Sequence, residues 1–425
     1  MEEPFRSRKQ DSMADYNNTI DLAADPASKH THQNPAHSAS GREVTLLVVV
    51  ALLVLTQLYL AIPLLTPVAQ SFGSATPGSV TFALASCFSL AYAGGFLIWG
   101  PLSDQYGRRL IMLVGLSALS VATLACVFAP SLPWLAGLRM LQGLAASSFA
   151  PVALAYLAEA VLPRHRAIAI GAMSTSFLVA GILGQVFAAW VALQWGWIWV
   201  FIATGTGLMA VLPFIVLLIQ EPVRTAVDGH LGHRFIALGN IAMRPAIVLL
   251  SCAHITLLLS FVAMYTLLGP HLAGLNLDPD LVIALRLSGL PGMFMALLVG
   301  PLANRFGMPG VASVGYLVAA VGLTLEAILS QTIIGIGIGS LLFVTGVALA
   351  VPAMISRFGD LAAPDRAAGM ALNGFVLFIG ASIGPLIASW VPGFVPLLAG
   401  LTVALLLASI CVMKSASLTS FQRKS

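Results

Sequence analysis

Charge is what this chain lacks most. Asp, Glu, Lys and Arg make up 8% of its 425 residues, against roughly 25% in an ordinary soluble domain. A water-soluble fold of that length could not cover its surface with so few charges, which excludes a soluble enzyme or a nucleic-acid-binding protein. Cysteine is scarce too. Cys87, Cys126, Cys252 and Cys411 stand singly inside or beside apolar runs, with no CxxC pair. They read as small buried apolar residues, and neither a disulfide framework nor a metal site is expected. No glycine-rich phosphate loop, metal-ligand cluster or nucleophile–base pair is visible. An ATP-driven pump, a membrane enzyme and a bound cofactor therefore have no support.

What the chain has is apolar surface, at 59% of its residues. A helix needs about 20 apolar residues to cross the hydrocarbon core. Twelve stretches qualify, near 44–69, 80–101, 110–129, 133–158, 167–190, 197–219, 245–268, 281–302, 310–330, 333–356, 367–389 and 392–413. They are continuous and not alternating, so helices are expected and barrel strands are not. The predicted organisation is a disordered cytoplasmic tail (1–43), a six-helix half (44–220), a cytoplasmic central loop (221–244), a second six-helix half (245–413) and a cytoplasmic C-terminus (414–425). The tail is polar and without periodicity, and His30, His32 and His37 in it are read as solvated. The first apolar run begins after Glu43, so no secretory signal is expected.

Lys and Arg orient the spans. With both termini cytoplasmic, eighteen of the twenty basic residues fall on the cytoplasmic side, and the other two, Arg139 and Arg286, fall inside spans. That is the bias the positive-inside rule requires, and losing or adding one span would destroy it.

The two halves also repeat each other at an offset of 200 positions. Gly100-Pro101-Leu102-Ser103-Asp104-Gln105-Tyr106-Gly107 answers to Gly300-Pro301-Leu302-Ala303-Asn304-Arg305-Phe306-Gly307. Arg166 maps onto Arg366, Gly184 onto Gly384 and Trp190 onto Trp390. The repeated residues sit at turns as well as in apolar runs, which argues against a mere relic of duplication. Matching membrane halves are the usual build of secondary transporters, which rock one half against the other.

The loop motif Gly100-x-Leu102-x-Asp104-x-x-Gly107-Arg108-Arg109 resembles the signature of the major facilitator superfamily, and its weaker copy falls between spans eight and nine. Arg139-Met140-Leu141-Gln142-Gly143 in span four resembles the pattern of the drug:proton antiporter branch, as does Pro63-Leu64-Leu65-Thr66-Pro67 in span one. The resemblance covers residues 44 to 413. It implies an all-α fold of twelve transmembrane helices in two pseudo-symmetric halves, and it implies that Asp104 latches onto the start of span eleven near Ala367. The chain departs from the family at Gln105, where Arg is usual, and at Asn304, where an acid would stand. Gly184-Gln185 replaces the Gly-Pro pair of span five, and span one has no acid.

Inside the spans, Arg139 is the most costly residue, since an Arg at a helix centre costs about 2.5–3.5 kcal/mol to insert. It is therefore expected to face the protein interior or water, on a polar face shared with Gln142 that aims at a cavity; snorkelling to the headgroups is the alternative. For Arg286, snorkelling and a buried role are equally open. His254, near the midplane of span seven, either bonds a neighbouring carbonyl or titrates with the cycle. Glu326 is expected to be a half-wet structural acid near the end of span nine. Gln57, Tyr59 and Asn373 offer hydrogen bonds without charge.

The expected function is proton-coupled efflux of small organic compounds across a bacterial-type inner membrane by a monomer, with the proton gradient as energy source. A sugar or metabolite facilitator or symporter is the alternative, and a transporter-like ligand sensor a more remote one.

Overall fold

The computed structural model describes residues 39–73, 76–221, 231–363 and 365–422. The tail before residue 39 and the linker from 222 to 230 lie outside the described residues. Among the described residues every regular element is a helix. Eleven stretches are long and apolar enough to span a bilayer. Ten of these run 19 to 30 residues, and the eleventh, Pro279–Ile328, runs 50. At 1.5 Å per residue the long one would measure about 75 Å, more than twice a bilayer core. It turns back at Gly307, whose φ of 71° is non-helical. It therefore holds spans eight and nine, and the expected twelve stand.

Local chemistry sets the breaks. Pro63 offers no N–H to the Tyr59 carbonyl, and span one divides at Leu60 into Gly41–Tyr59 and Ala61–Ser71. Span four, Leu132–Ala146 followed by Ala150–Ala160, divides just before Pro151. Span eight, read as continuous from sequence, is broken into Pro279–Leu287, Leu290–Met293 and a 3-10 turn at Phe294–Leu298, over the run Gly289-Leu290-Pro291-Gly292. Span two carries a π-helical turn at Phe82–Ser86. Gly107 (φ 107°) turns span two into span three as Gly307 turns span eight into span nine, a conformation that costs glycine nothing.

One expectation needs correcting. The linker read as a loop carries a helix, Leu231–Ala242. Ile241 is buried and Leu238 packs partly against the core, the helical spacing that anchors it.

The two halves meet from mid-height to the end remote from Gly107. Span two touches span eleven, where the Ser86 hydroxyl donates to the Ser382 carbonyl at 2.7 Å and Ser382 donates back at 3.3 Å. Span five touches span eight, where Arg286 donates to Gln185 at 2.6 Å. Span one touches span seven, Tyr59 standing edge-on to Phe261 at 5.8 Å. Ser86 lies about 30 Å along the helix axis from Gly107.

Candidate functional site

At the Gly107 end, the loop motif builds a charge network within the first half. Asp104 pairs with Arg108 one turn on at 2.5 Å. Arg108 also pairs with Glu159 of span four at 2.7 Å and reaches the Ser103 hydroxyl. Glu221, where span six leaves for the linker, accepts the backbone N–H groups of Arg108 and Arg109 at 2.7 and 2.9 Å. A carboxylate at those first N–H groups caps span three and meets the positive end of its dipole. Arg109 donates to the Val216 carbonyl at 2.6 Å, which ties span three to the end of span six. Arg366, the first residue of span eleven, pairs with Asp360 of its own half at 3.5 Å, both side chains well exposed. Glu159 and Glu221 were missed from sequence. Their one signal is an acid placed just beyond an apolar run, beside a basic loop.

Arg139 faces the protein interior, as its insertion cost requires, and not the headgroups. It neither lines a cavity nor snorkels, because its side chain is fully buried within the first half. Its Nε donates to the Leu84 carbonyl at 2.7 Å, Nη2 to the Gln57 carbonyl at 2.9 Å and Nη1 to Gln142 at 2.8 Å. The π turn loosens the helical ladder around Leu84, which lets that carbonyl accept from a neighbour. The guanidinium also lies 4.3 Å from the centre of the Phe88 ring, a cation–π contact. Gln142 passes the chain on to Thr123 at 2.8 Å, and Thr123 to the Leu119 carbonyl at 2.7 Å. One residue thus pins spans one, two and four together, and through Gln142 span three. The expected pairing of Arg139 with Gln142 is present. Gln57 contributes its backbone carbonyl, while its side-chain Oε1 is buried without a partner. Gly143 is the close-approach residue, since a Cβ there would fall 2.1 Å from the Phe88 carbonyl oxygen.

His254 and Asn373 are brought together. Asn373 Nδ2 donates to His254 Nε2 at 2.8 Å, so a neutral ring carries its proton on Nδ1. Nδ1 has no partner, and the fully buried ring lies 5.3 Å from Phe358. His254 belongs to the packing of spans seven, ten and eleven.

The seam between halves and the interior of the second half hold what sequence reasoning underrated. Arg286 is buried at the seam, which settles it against snorkelling, and among the described residues no carboxylate lies within ion-pair distance of it. Its acceptor is Gln185, whose own amide is held by the Gly181 carbonyl at 2.6 Å. Tyr265 lies within 3.3 Å of Ser340, hydroxyl to hydroxyl. Glu326, expected to be half-wet, is fully buried with neither carboxylate oxygen hydrogen-bonded. Span ten covers it, because Gly339 has no side chain and lets the two backbones close: a Cβ at Gly339 would fall 2.6 Å from that of Glu326.

A family model described as the Major Facilitator Superfamily matches residues 47–385. The chain belongs to that family. It is similar to the MFS-type transporter YybF of Bacillus subtilis (strain 168), 26% identical over 341 residues, which cover 77% of this chain and 80% of that one. It is similar to the multi-drug resistance efflux pump PmrA of Streptococcus pneumoniae, 25% identical over 312 residues, 70% and 75% of the two chains. A shorter likeness, 36% over 130 residues, covers 31% of this chain and 29% of the gallate transporter of Pseudomonas putida. The fold matches a crystal structure of a bacterial homologue of the human lysosomal transporter Spinster, in an inward-facing and occupied conformation. The TM-score is 0.68 at 17% identity, over 88% of this chain and 96% of that one. The MFS chain is thus a multi-pass membrane protein of a transporter family, built for a small-molecule substrate.

Proposed function

We propose that this MFS protein is a proton-coupled exporter of small organic compounds, working as a monomer by alternating access in a bacterial inner membrane. The seam carries the reading. Buried hydrogen bonds join the halves at Ser86–Ser382 and Arg286–Gln185, at the end remote from Gly107. Such a bundle closes one mouth with a few bonds and can trade them for others at the opposite mouth. The Gly107 end is the cytoplasmic one on the distribution of Lys and Arg, which puts both termini inside. When that end closes, Asp104 exchanges Arg108 for the N-terminus of span eleven and acts as the latch.

Glu326 is the proton's seat ahead of His254. A charged carboxylate buried without a hydrogen bond costs several kcal/mol, so ionising Glu326 requires the packing of spans nine and ten to change around it. Export is favoured by the likeness to PmrA over most of both chains. Uptake of a metabolite by symport is the second reading, favoured by the local likeness to the gallate transporter.

Flux in membrane vesicles of both orientations tests the proposal. Export coupled to protons gives substrate movement against an imposed ΔpH in one sidedness, lost in Glu326→Gln while substrate counterflow persists. Flux indifferent to ΔpH in the wild type would refute coupling. Intact ΔpH-driven flux in Glu326→Gln would return the role to His254.

A further inference from the structure

We propose that Arg286 is the seat of a carboxylate on the transported compound, and that this compound is an aromatic monoanion. The inference rests on the transporter reading alone and needs neither proton coupling nor a direction.

The two buried arginines differ in how they are satisfied. Arg139 spends its guanidinium on three protein acceptors and a ring face. Arg286 has one neutral acceptor, Gln185, and that acceptor belongs to the other half. Opening the seam parts the two and frees the guanidinium, now at the opened mouth, for another acceptor. A carboxylate arriving there replaces a single neutral bond with a bidentate, charge-assisted pair, for which guanidinium is the matched donor. A bound anion would therefore replace the bond to Gln185 that opening removes. Glu326 does not supply that carboxylate in this state, since its oxygens have no hydrogen-bonding partner.

Span eight is also broken beside Arg286. Gly289 lies one turn on, and a Cβ there would fall 2.8 Å from the Tyr265 hydroxyl, so the guanidinium and that ring flank one short stretch of seam. Interrupted helices at the junction of the halves are where transporters hold their cargo.

The ring-rich surroundings select the rest of the ligand. Tyr59 of one half meets Phe261 of the other at 5.8 Å, and Phe261 meets Tyr265 at 4.9 Å. A separate set crosses the seam between spans two and eleven, where Tyr92 meets Phe378 at 4.4 Å. Ring edges and faces at these separations accept another planar ring when the halves part. One guanidinium with no acid in ion-pair range fits a single negative charge and repels cations.

Isothermal titration calorimetry on the purified full-length protein tests this, with benzoate, cyclohexanecarboxylate and benzylammonium as probes. The expected result is saturable binding of benzoate, weaker binding of cyclohexanecarboxylate and none of benzylammonium. Arg286→Gln should weaken benzoate about tenfold or more, with Arg286→Lys between it and the wild type. The melting temperature of each variant in detergent, level with the wild type in Arg286→Lys and Arg286→Gln, separates a lost site from a misfolded seam. Absence of benzoate binding to the wild type, or equal affinity in a folded Arg286→Gln, would overturn the proposal. Should vesicle flux of a neutral or cationic compound survive Arg286→Gln, the transporter reading stands and this one falls.

Discussion

Gly143→Ala adds one methyl group where span four packs against the backbone of span two. The new Cβ would sit 2.1 Å from the Phe88 carbonyl oxygen and 2.9 Å from its carbon. A comfortable contact is over 3 Å, so the helices must separate by about 1 Å, and the obstacle is backbone that cannot rotate away. Overpacking of that kind costs typically 1–3 kcal/mol. The separation also pulls on Arg139, whose Nε reaches the Leu84 carbonyl one turn away at 2.7 Å. Losing that charge-assisted bond adds roughly 1.5–3 kcal/mol. Gly137, on the same helix, has nothing within 4 Å of a new Cβ, and alanine there gains up to about 1 kcal/mol of helix propensity. Apparent melting temperatures of the two variants in detergent should therefore move in opposite directions, Gly143→Ala down by several degrees and Gly137→Ala level or up. Equal melting of the two would refute the close approach, and with it the placement of Arg139 against span two.

Arg139→Lys should lower stability by roughly 2–3 kcal/mol and abolish flux, because an ammonium cannot reach the Gln57 carbonyl, the Leu84 carbonyl and Gln142 together; wild-type melting in that variant would mean that charge alone matters. Asp104→Asn should cut vesicle flux far more than membrane abundance, and Asn304→Ala should be mild; normal flux in Asp104→Asn would reduce the loop to a topology signal. Single cysteines in the linker helix Leu231–Ala242 and near Asp278 should label from opposite faces of intact cells. Labelling of both from outside would sink the proposed orientation.

The span count, the paired halves and the turns at Gly107 and Gly307 were legible because each rests on local composition. An apolar run, a basic loop or a glycine with positive φ needs no neighbour to be recognised. The site residues were legible only as types. That Arg139 turns inward depends on a π turn at Phe82–Ser86, which no spacing announces, and on carbonyl oxygens that every residue carries. Gln185 was visible only as the absence of a proline. Glu326 was misjudged for a related reason: counting residues to the end of span nine measures depth along one helix. The bare Gly339 that seals it belongs to the next helix.

The duplication makes the contrast between the halves sharper. Two hundred positions after Arg139 stands Gly339, and two hundred after Cys126 stands Glu326. The same helix pair thus carries a buried positive charge in the first half and a buried acid in the second. Arginine stays charged at any physiological pH, and this one is bonded on three sides, so it has no reason to change with the proton gradient. An acid without partners is the opposite case, since its environment must alter whenever its charge does. Arg286 repeats the pattern, replacing the neutral Ser86 of the first half with a cation held by one bond across the seam. The buried acid without a hydrogen bond and the buried cation held by one bond thus both lie in the second half.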